Sequence, residues 1–450
     1  MSLTGALFAG VSGLNAQSQN MAAIGDNLAN ASSVGYKRNS TRFSTLVTES
    51  GAAGTFSPGG VRAAPFAAVG EQGQISTSTS PTDLAVSGNG FFVVNSLSDG
   101  TGEFLYTRAG SFVPDSTGNL RNTAGVFLQA WQLDANGAIP ATNAALSSVQ
   151  TINVGQIGGT ASPTTRTEFG MNLDADQAIS AYVAGDMSLN NVTPALGTSP
   201  QFFRTFQIFD SLGSAHNLTV GYIKTATNAW AVEVFANTAT EVTAGNGLLE
   251  SGTITFNGDG TVDATTTAAS LTTGSVNATT GELNSTVPIT WTNGANASTV
   301  QLDWGTDNRT DGVGQFAAPF SVAFVNQNGA AVGQLSSVDV DEEGVVIATF
   351  NNGESQRLFK IPLATFADPS SLSSRTGNTY AETDGSGSFN LREAGSSGAG
   401  DFVPSALEAA NVDIAEEFTD MIVTQRVFSA NTRVITTADE MLEELVRIIR

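Results

Sequence analysis

Apolar residues recur along this chain with two different periods, and the change of period divides it into three textures. Near the N-terminus Leu7, Leu14, Met21 and Leu28 follow one another every seven residues, with Leu3, Val11 and Ile24 between them. Near the C-terminus Leu407, Ile414, Met421, Phe428, Ile435, Leu442 and Ile449 repeat at the same interval. A seven-residue repeat holds one stripe on a helix surface, drifting only ~20° per heptad, so each end predicts a helix with a coiled-coil-like seam. From Ile414 to Ile449 a rise of about 1.5 Å per residue gives a rod on the order of 50 Å. The alternate seam positions of that helix are poor in apolar groups: Glu417, Thr424 and Asn431 precede Ala438 and Leu445. Such a seam suits a crowded, multi-helix packing better than an isolated pair. The plain reading is an intramolecular helical hairpin. The placement of one stripe at each extreme of the chain argues instead for assembly contacts, with Leu7, Leu14, Met21, Leu28, Ile414, Met421, Phe428, Ile435, Leu442 and Ile449 as candidate interface residues.

The middle reads as strands. Trp230, Val232 and Val234 alternate with Ala231 and Glu233, the period of a half-buried strand. Val338 and Val340 alternate with Ser337, Asp339 and Asp341. Turn signals stand at Asn257-Gly258-Asp259-Gly260 and Asn351-Asn352-Gly353. Several short strands with such turns predict sandwiches or barrels, so the fold class is multidomain and mainly β with helical termini. Gly385 to Gly400 reads as a linker ahead of the C-terminal helix.

Charge sharpens the division. The chain carries 41 acidic and 18 basic residues, a net charge of −23. A surface of that sign repels phosphate backbones and anionic lipid, which argues against nucleic-acid binding. No apolar run approaches the ~20 residues needed to span a bilayer, so no membrane insertion is expected. No Lys or Arg falls between Lys224 and Arg309, while Glu233, Glu241, Glu250, Asp259, Asp263, Glu282, Asp303 and Asp307 are acidic. That stretch predicts a solvent-facing module inserted into the rest.

Candidate chemistry is sparse. With no cysteine, disulfides and thiol nucleophiles are excluded. The single histidine, His216, has no nucleophile near it in sequence and reads as a turn or strand-edge residue. Asp339, Asp341, Glu342 and Glu343 lack the twelfth-position Glu of a calcium loop, which is Phe350 here, and read as the wet face of a hairpin, as do Asp259 and Asp263. Ser87-Gly88-Asn89-Gly90 has no phosphate-loop Lys and reads as a hairpin turn. Neither an enzyme nor a cofactor is expected.

Four segments resemble the bacterial flagellar axial proteins, the family of rod, hook and hook-associated subunits. The first is Leu14 to Arg38, containing Asp26-Asn27-Leu28-Ala29-Asn30 and Val34-Gly35-Tyr36-Lys37. The second joins Gly88-Asn89-Gly90-Phe91-Phe92-Val93 to Tyr106-Thr107-Arg108-Ala109-Gly110-Ser111-Phe112 and Gly118-Asn119-Leu120. The third is Asn411 to Phe418, and the fourth is Gln425 to Asn431 with Asp439-Glu440-Met441-Leu442. Ser33 stands where the family commonly has Thr, and Ala410 where Ser is usual. Within the family, Phe209-Asp210-Ser211-Leu212-Gly213, Gly333-Gln334-Leu335 and Ala364-Thr365-Phe366-Ala367-Asp368-Pro369 look most like hook-type subunits.

The resemblance implies a homo-polymer in which paired terminal helices line an inner tube, with β-rich domains stacked outward. Its layout would be residues 1–30 and 408–450 as the helical inner layer, 31–79 and 401–407 as a connecting region, 80–155 and 333–400 as an inner body, and 156–332 as an outer acidic domain. Implied partners are the distal rod, the hook cap and the hook–filament junction proteins. Also implied is export to the cell exterior by the flagellar type III apparatus without a cleaved signal. The absence of Lys or Arg before Lys37 accords with that route, and the absence of cysteine suits a chain exported unfolded. A distal rod or junction subunit, or a secreted β-rich adhesin with the acidic middle as its binding face, stands as the alternative.

Overall fold

In a computed structural model the described residues are 3–47, 58–134, 137–139, 145–396 and 398–449. The fold is mainly β with a helix at each end. The helices are α1 (Leu3–Ala29), α2 (Asp186–Val192), α3 (Ala264–Ser270) and α4 (Ile414–Ile449). The chain divides into two compact units. The first comprises Met1–Ile157, Ser337–Ala348 and Gln356–Arg450, and the second Gly158–Ser336 and Thr349–Ser355.

The first unit is built around the strand Phe91–Asn95, whose side chains alternate between two cores. Phe92 and Val94 join Leu84, Phe112, Leu128, Ile361, Leu363 and Phe402 on one face. Phe91 and Val93 join Val69, Tyr106, Leu372 and Tyr380 on the other. Segments distant in sequence meet in this sheet, Phe92 pairing with Leu363 and Thr107 with Thr379. The last turns of the body join its two ends: Ile75–Thr77 pairs with Ala406–Glu408, and Leu84–Ser87 with Asp401–Pro404. A long antiparallel hairpin, β1 (Asn39–Val47) and β2 (Pro58–Ala67), follows α1 and packs against it. Arg42 lies over the Phe66 ring at 3.8 Å, a cation–π contact across the hairpin.

The second unit packs a four-stranded antiparallel sheet (Phe202–Phe209, Ala215–Ala226, Ala229–Ala236, Leu248–Thr255) against a six-stranded mixed one. Trp230, Trp304, Tyr222 and Phe169 fill the space between, and each buried indole N–H finds an acceptor, Gln315 Oε1 for Trp230 and Ser285 Oγ for Trp304.

Five sequence expectations are corrected. The strand Ala229–Ala236 is buried on both faces, because α2 and the loop before it cover the side that carries Ala231 and Glu233. Glu233 accepts from Tyr182 Oη and the backbone N–H of Gly185 and Ser188, so it satisfies the start of α2. Buried Glu250 likewise takes the N–H groups of Thr272 and Thr273, so the acidic stretch is not uniformly solvent-facing. Asp263 caps α3 by accepting from Thr266 N. Ser87 to Gly90 is no hairpin: the strands on either side belong to different sheets, and Gly88 and Gly90, at φ +95° and +133°, turn the chain between them. The Gly385–Gly400 stretch is part of the body, Asn390–Arg392 pairing with Leu363–Thr365.

Candidate assembly site

Where the terminal segments enter the first unit, three ionisable side chains are sealed from water. Glu408 Oε1 lies 2.6 Å from Lys37 Nζ, and Oε2 lies 3.2 Å from Arg108 Nη1. Gly73 N–H is the third donor to this carboxylate, reaching Oε1. Lys37 also donates to the Glu71 carbonyl, and Arg108 to those of Val86 and Gly88. A buried charge is tolerable when paired and hydrogen-bonded in this way. Burial pushes the Lys37 ammonium and the Arg108 guanidinium below their usual ranges, while Glu408 opposes both shifts. One residue from each of three distant segments is thereby tied to a single point. Gly35, at φ +67°, brings the entering chain so close to Ala109 that a Cβ would stand 2.5 Å from its backbone nitrogen.

A second junction sits beside it. Asn27 Oδ1 accepts from Tyr36 Oη and Asn39 N, while its amide donates to the Asn39 carbonyl and to Glu417 Oε1. Arg38 N–H donates to Asn411 Oδ1 at 2.6 Å. The Arg38 guanidinium lies 2.6 Å from Glu417 Oε1, 3.1 Å from Glu416 Oε1 and 3.5 Å from Asp420 Oδ2. Asp413 begins α4 by accepting from Ala415 and Glu416 N–H. Of the segments that carried the family resemblance, Asp26 to Arg38 and Asn411 to Phe418 supply the joint between helices and body.

From that joint α1 and α4 run antiparallel, and the residues between them are the polar ones. Asn27 meets Glu417, and seven residues along each helix Asn20 Nδ2 donates to Thr424 Oγ1 at 2.9 Å. Another seven bring Gly13 against Asn431, where a Cβ would stand 2.8 Å from Nδ2. Gly10 lies against Ile435 in the same turn. Glu417, Thr424 and Ala438 are buried, so this series is the contact between the helices. The apolar series is placed differently. Ile414 and Phe428 are exposed, and Leu7, Leu14, Met21, Leu28, Met421, Ile435 and Leu442 are half-buried. The side chain of Ile449 lies outside the described residues. The heptad count found both stripes but did not say which would face inward. The signal was available in the matched spacing of Asn27, Asn20 and Gly13 against Glu417, Thr424 and Asn431.

His216 stands where expected, as the second residue of the strand Ala215–Ala226 just after a turn, and it is buried there. Its Nδ1 lies 2.9 Å from Glu241 Oε2 and its Nε2 3.0 Å from Asp210 Oδ2, and its ring stacks on Trp291. Asn293 also donates to Asp210. Every member is occupied in holding loops together, and no nucleophile stands among them.

A helix at each terminus joined through a β body agrees with the fold that the resemblance to flagellar axial proteins implies. The chain matches the families described as flagella basal body rod protein over residues 7–37, flagellar hook protein FlgE/F/G D1 domain over 85–160, flagellar basal body protein FlaE D2 domain over 172–330, and flagellar basal body rod FlgEFG protein C-terminal over 403–448. It is 30% identical to the flagellar hook protein FlgE of Caulobacter vibrioides and 32% identical to that of Rhizobium meliloti, with the whole of each chain covered in both cases. The protein from Brucella suis is 34% identical, again over the full length of both. The chain belongs to the flagellar hook protein family, and its function is that of the structural hook subunit.

Proposed function

We propose that copies of this chain polymerise through the uncovered faces of α1 and α4 into a curved, flexible tube that passes torque from rod to filament. The observation that supports this reading is the apolar surface left bare after the helices have paired. On α4 Ile414, Phe418, Ile422, Val423, Phe428, Val434, Met441 and Val446 are all exposed, as are Phe8 and Val11 on α1. A surface of that extent marks an interaction site, and a head-to-tail contact that does not close generates a helical filament. On this reading residues 1–30 and 408–450 form the inner layer, 31–79 and 401–407 the connection, 80–155 and 333–400 the inner body, and 156–332 the outer domain. The distal rod, the hook cap and the hook–filament junction proteins are its neighbours, and the flagellar type III apparatus exports it. Its work is mechanical, with no catalytic step. Electron microscopy of cells lacking the gene tests this: basal bodies without hook or filament are expected, and intact flagella would overturn it.

A further inference from the structure

Beside the joint, one acidic group is left half-satisfied. Glu417 Oε1 holds Asn27 and Arg38, but Oε2 is buried and has no hydrogen-bond partner, and neither does buried Thr41 Oγ1. Both residues line a cavity of about 300 Å³ between α1, β1 and α4, together with Asn20, Arg38 and Asp420. Three carboxylates, Glu416, Glu417 and Asp420, share the single guanidinium of Arg38 there. Glu417 Oε2 therefore lacks a donor, and one guanidinium is set against three carboxylates. A buried carboxylate oxygen without a donor is unfavourable, and a second cation reaching it would satisfy both needs.

Two of the exposed arginines of α4, Arg426 and Arg433, stand on a shallow groove with Ile422, Gln425, Ser429 and Ala430. At about 3.6 residues per turn, Arg426 stands two and a half turns beyond Glu417, on the opposite face of the helix. Neither arginine can reach the cavity in its own chain. A second copy can supply one. Arg433 follows Asp420 by the same thirteen residues that separate Arg426 from Asp413. An α4 displaced by that amount, about 20 Å, brings both oppositely charged pairs to the same heights. At that displacement no like charges of α4 coincide, and Arg426 of one helix is level with Asp439 of the other.

We infer that Arg433 of a neighbouring copy enters the Glu417–Asp420–Thr41 cavity, with Arg426 of that copy beside Asp413. Plug and socket lie on opposite faces of one helix, so the contact is heterologous and propagates. This rests on the polymer reading above and specifies its register.

The chain's lack of cysteine makes the test direct. Full-length Thr41→Cys/Arg433→Cys is polymerised, oxidised and run without reductant, with each single variant alongside. A ladder of dimers, trimers and higher species from the double variant alone is expected, because each copy is linked on two sides. An assembled tube that gives only monomers means the cavity holds solvent, and one that stops at dimers means the contact is two-fold; either overturns the inference while leaving the polymer reading intact. Failure of the unsubstituted chain to polymerise would instead remove that reading. Should the double variant not assemble, the critical concentration decides: Arg433→Glu is expected to raise it at least about tenfold and Arg433→Lys by less than about threefold. Equal effects of the two would sink the proposal.

Discussion

Single residues in this protein matter most where charge is buried. Glu408 is the partner of two cations sealed from water. Removing it in Glu408→Leu leaves Lys37 and Arg108 without a counter-charge, a defect that costs about 3–5 kcal/mol. Urea unfolding of the full chain, followed by Trp131 fluorescence in the first unit, should show the midpoint falling accordingly; an unchanged midpoint would mean the node contributes nothing. The second unit has its own dependence on a carboxylate. Asp210 is buried, which raises its pKa, but the hydrogen bonds from His216, Asn293, Ser214 and Leu212 outweigh burial and hold it below the usual aspartate range. In the first unit the Thr117 hydroxyl, with backbone N–H groups, holds Asp115 down to about 2. A carboxyl with a lower pKa folded than unfolded binds more protons unfolded, so its stabilisation is present above about pH 4 and is lost as pH falls through the folded value. Melting temperature should therefore decline from about pH 4 to pH 2, and more shallowly in Asp210→Asn. A decline equally steep in that variant would show the loss to lie elsewhere.

At the scale of elements, periodicity located α1 and α4 but not the direction in which each face points. The apolar series is conspicuous in sequence, while the contact between the helices uses Asn27, Asn20 and Gly13 against Glu417, Thr424 and Asn431. Apolar groups go where the largest dry surface is, and for a chain that assembles this surface is absent from the single copy. β1 and β2 were illegible for a related reason: Arg42, Arg62 and Gly60 interrupt any alternation, and the hairpin packs on α1 rather than in a sheet core. Glu233 and Glu250 were misread because acidic residues in a polar stretch normally face water, whereas these accept N–H groups at element ends. Two substitutions separate the faces of α4. Leu442 is half-buried and Glu443 exposed. Leu442→Asp puts a carboxylate into the proposed apolar contact at a cost of several kcal/mol per copy. Glu443→Ala should change stability by no more than about 0.5 kcal/mol. Counting hooks on cells should find none with Leu442→Asp and normal numbers with Glu443→Ala, with both chains exported. Normal hooks with Leu442→Asp would show that its stripe is not an assembly seam.

For the whole molecule the two kinds of core predict two kinds of stability. The second unit closes a continuous apolar core around Trp230 and Trp304, and Tyr222 is buried so completely that its hydroxyl titrates well above the usual tyrosine range. The paired helices have no such core: much of their seam is polar, and Ile414, Phe418, Ile422, Phe428 and Val446 are exposed on α4. An isolated helix held by a few hydrogen bonds is marginal in water, so in a free subunit both ends should open long before the β units melt. Trypsin reports this opening by position. Arg426 and Arg433 are exposed on α4 and should be cut first, followed by Arg38 and Arg42. Lys37, anchored to Glu408 and Glu71 inside the joint, should be cut later than its neighbour Arg38, because its release requires the buried node to break. The span from Thr225 to Arg309 contains no internal cleavage site and should survive as one fragment. Assembly should reverse the order at the ends alone, protecting Arg426 and Arg433 once α4 is covered. Mass spectrometry of timed digests of the monomer and of sheared hooks measures both sets of rates. Arg426 and Arg433 cut equally fast in the two preparations would mean that α4 stays uncovered in the tube.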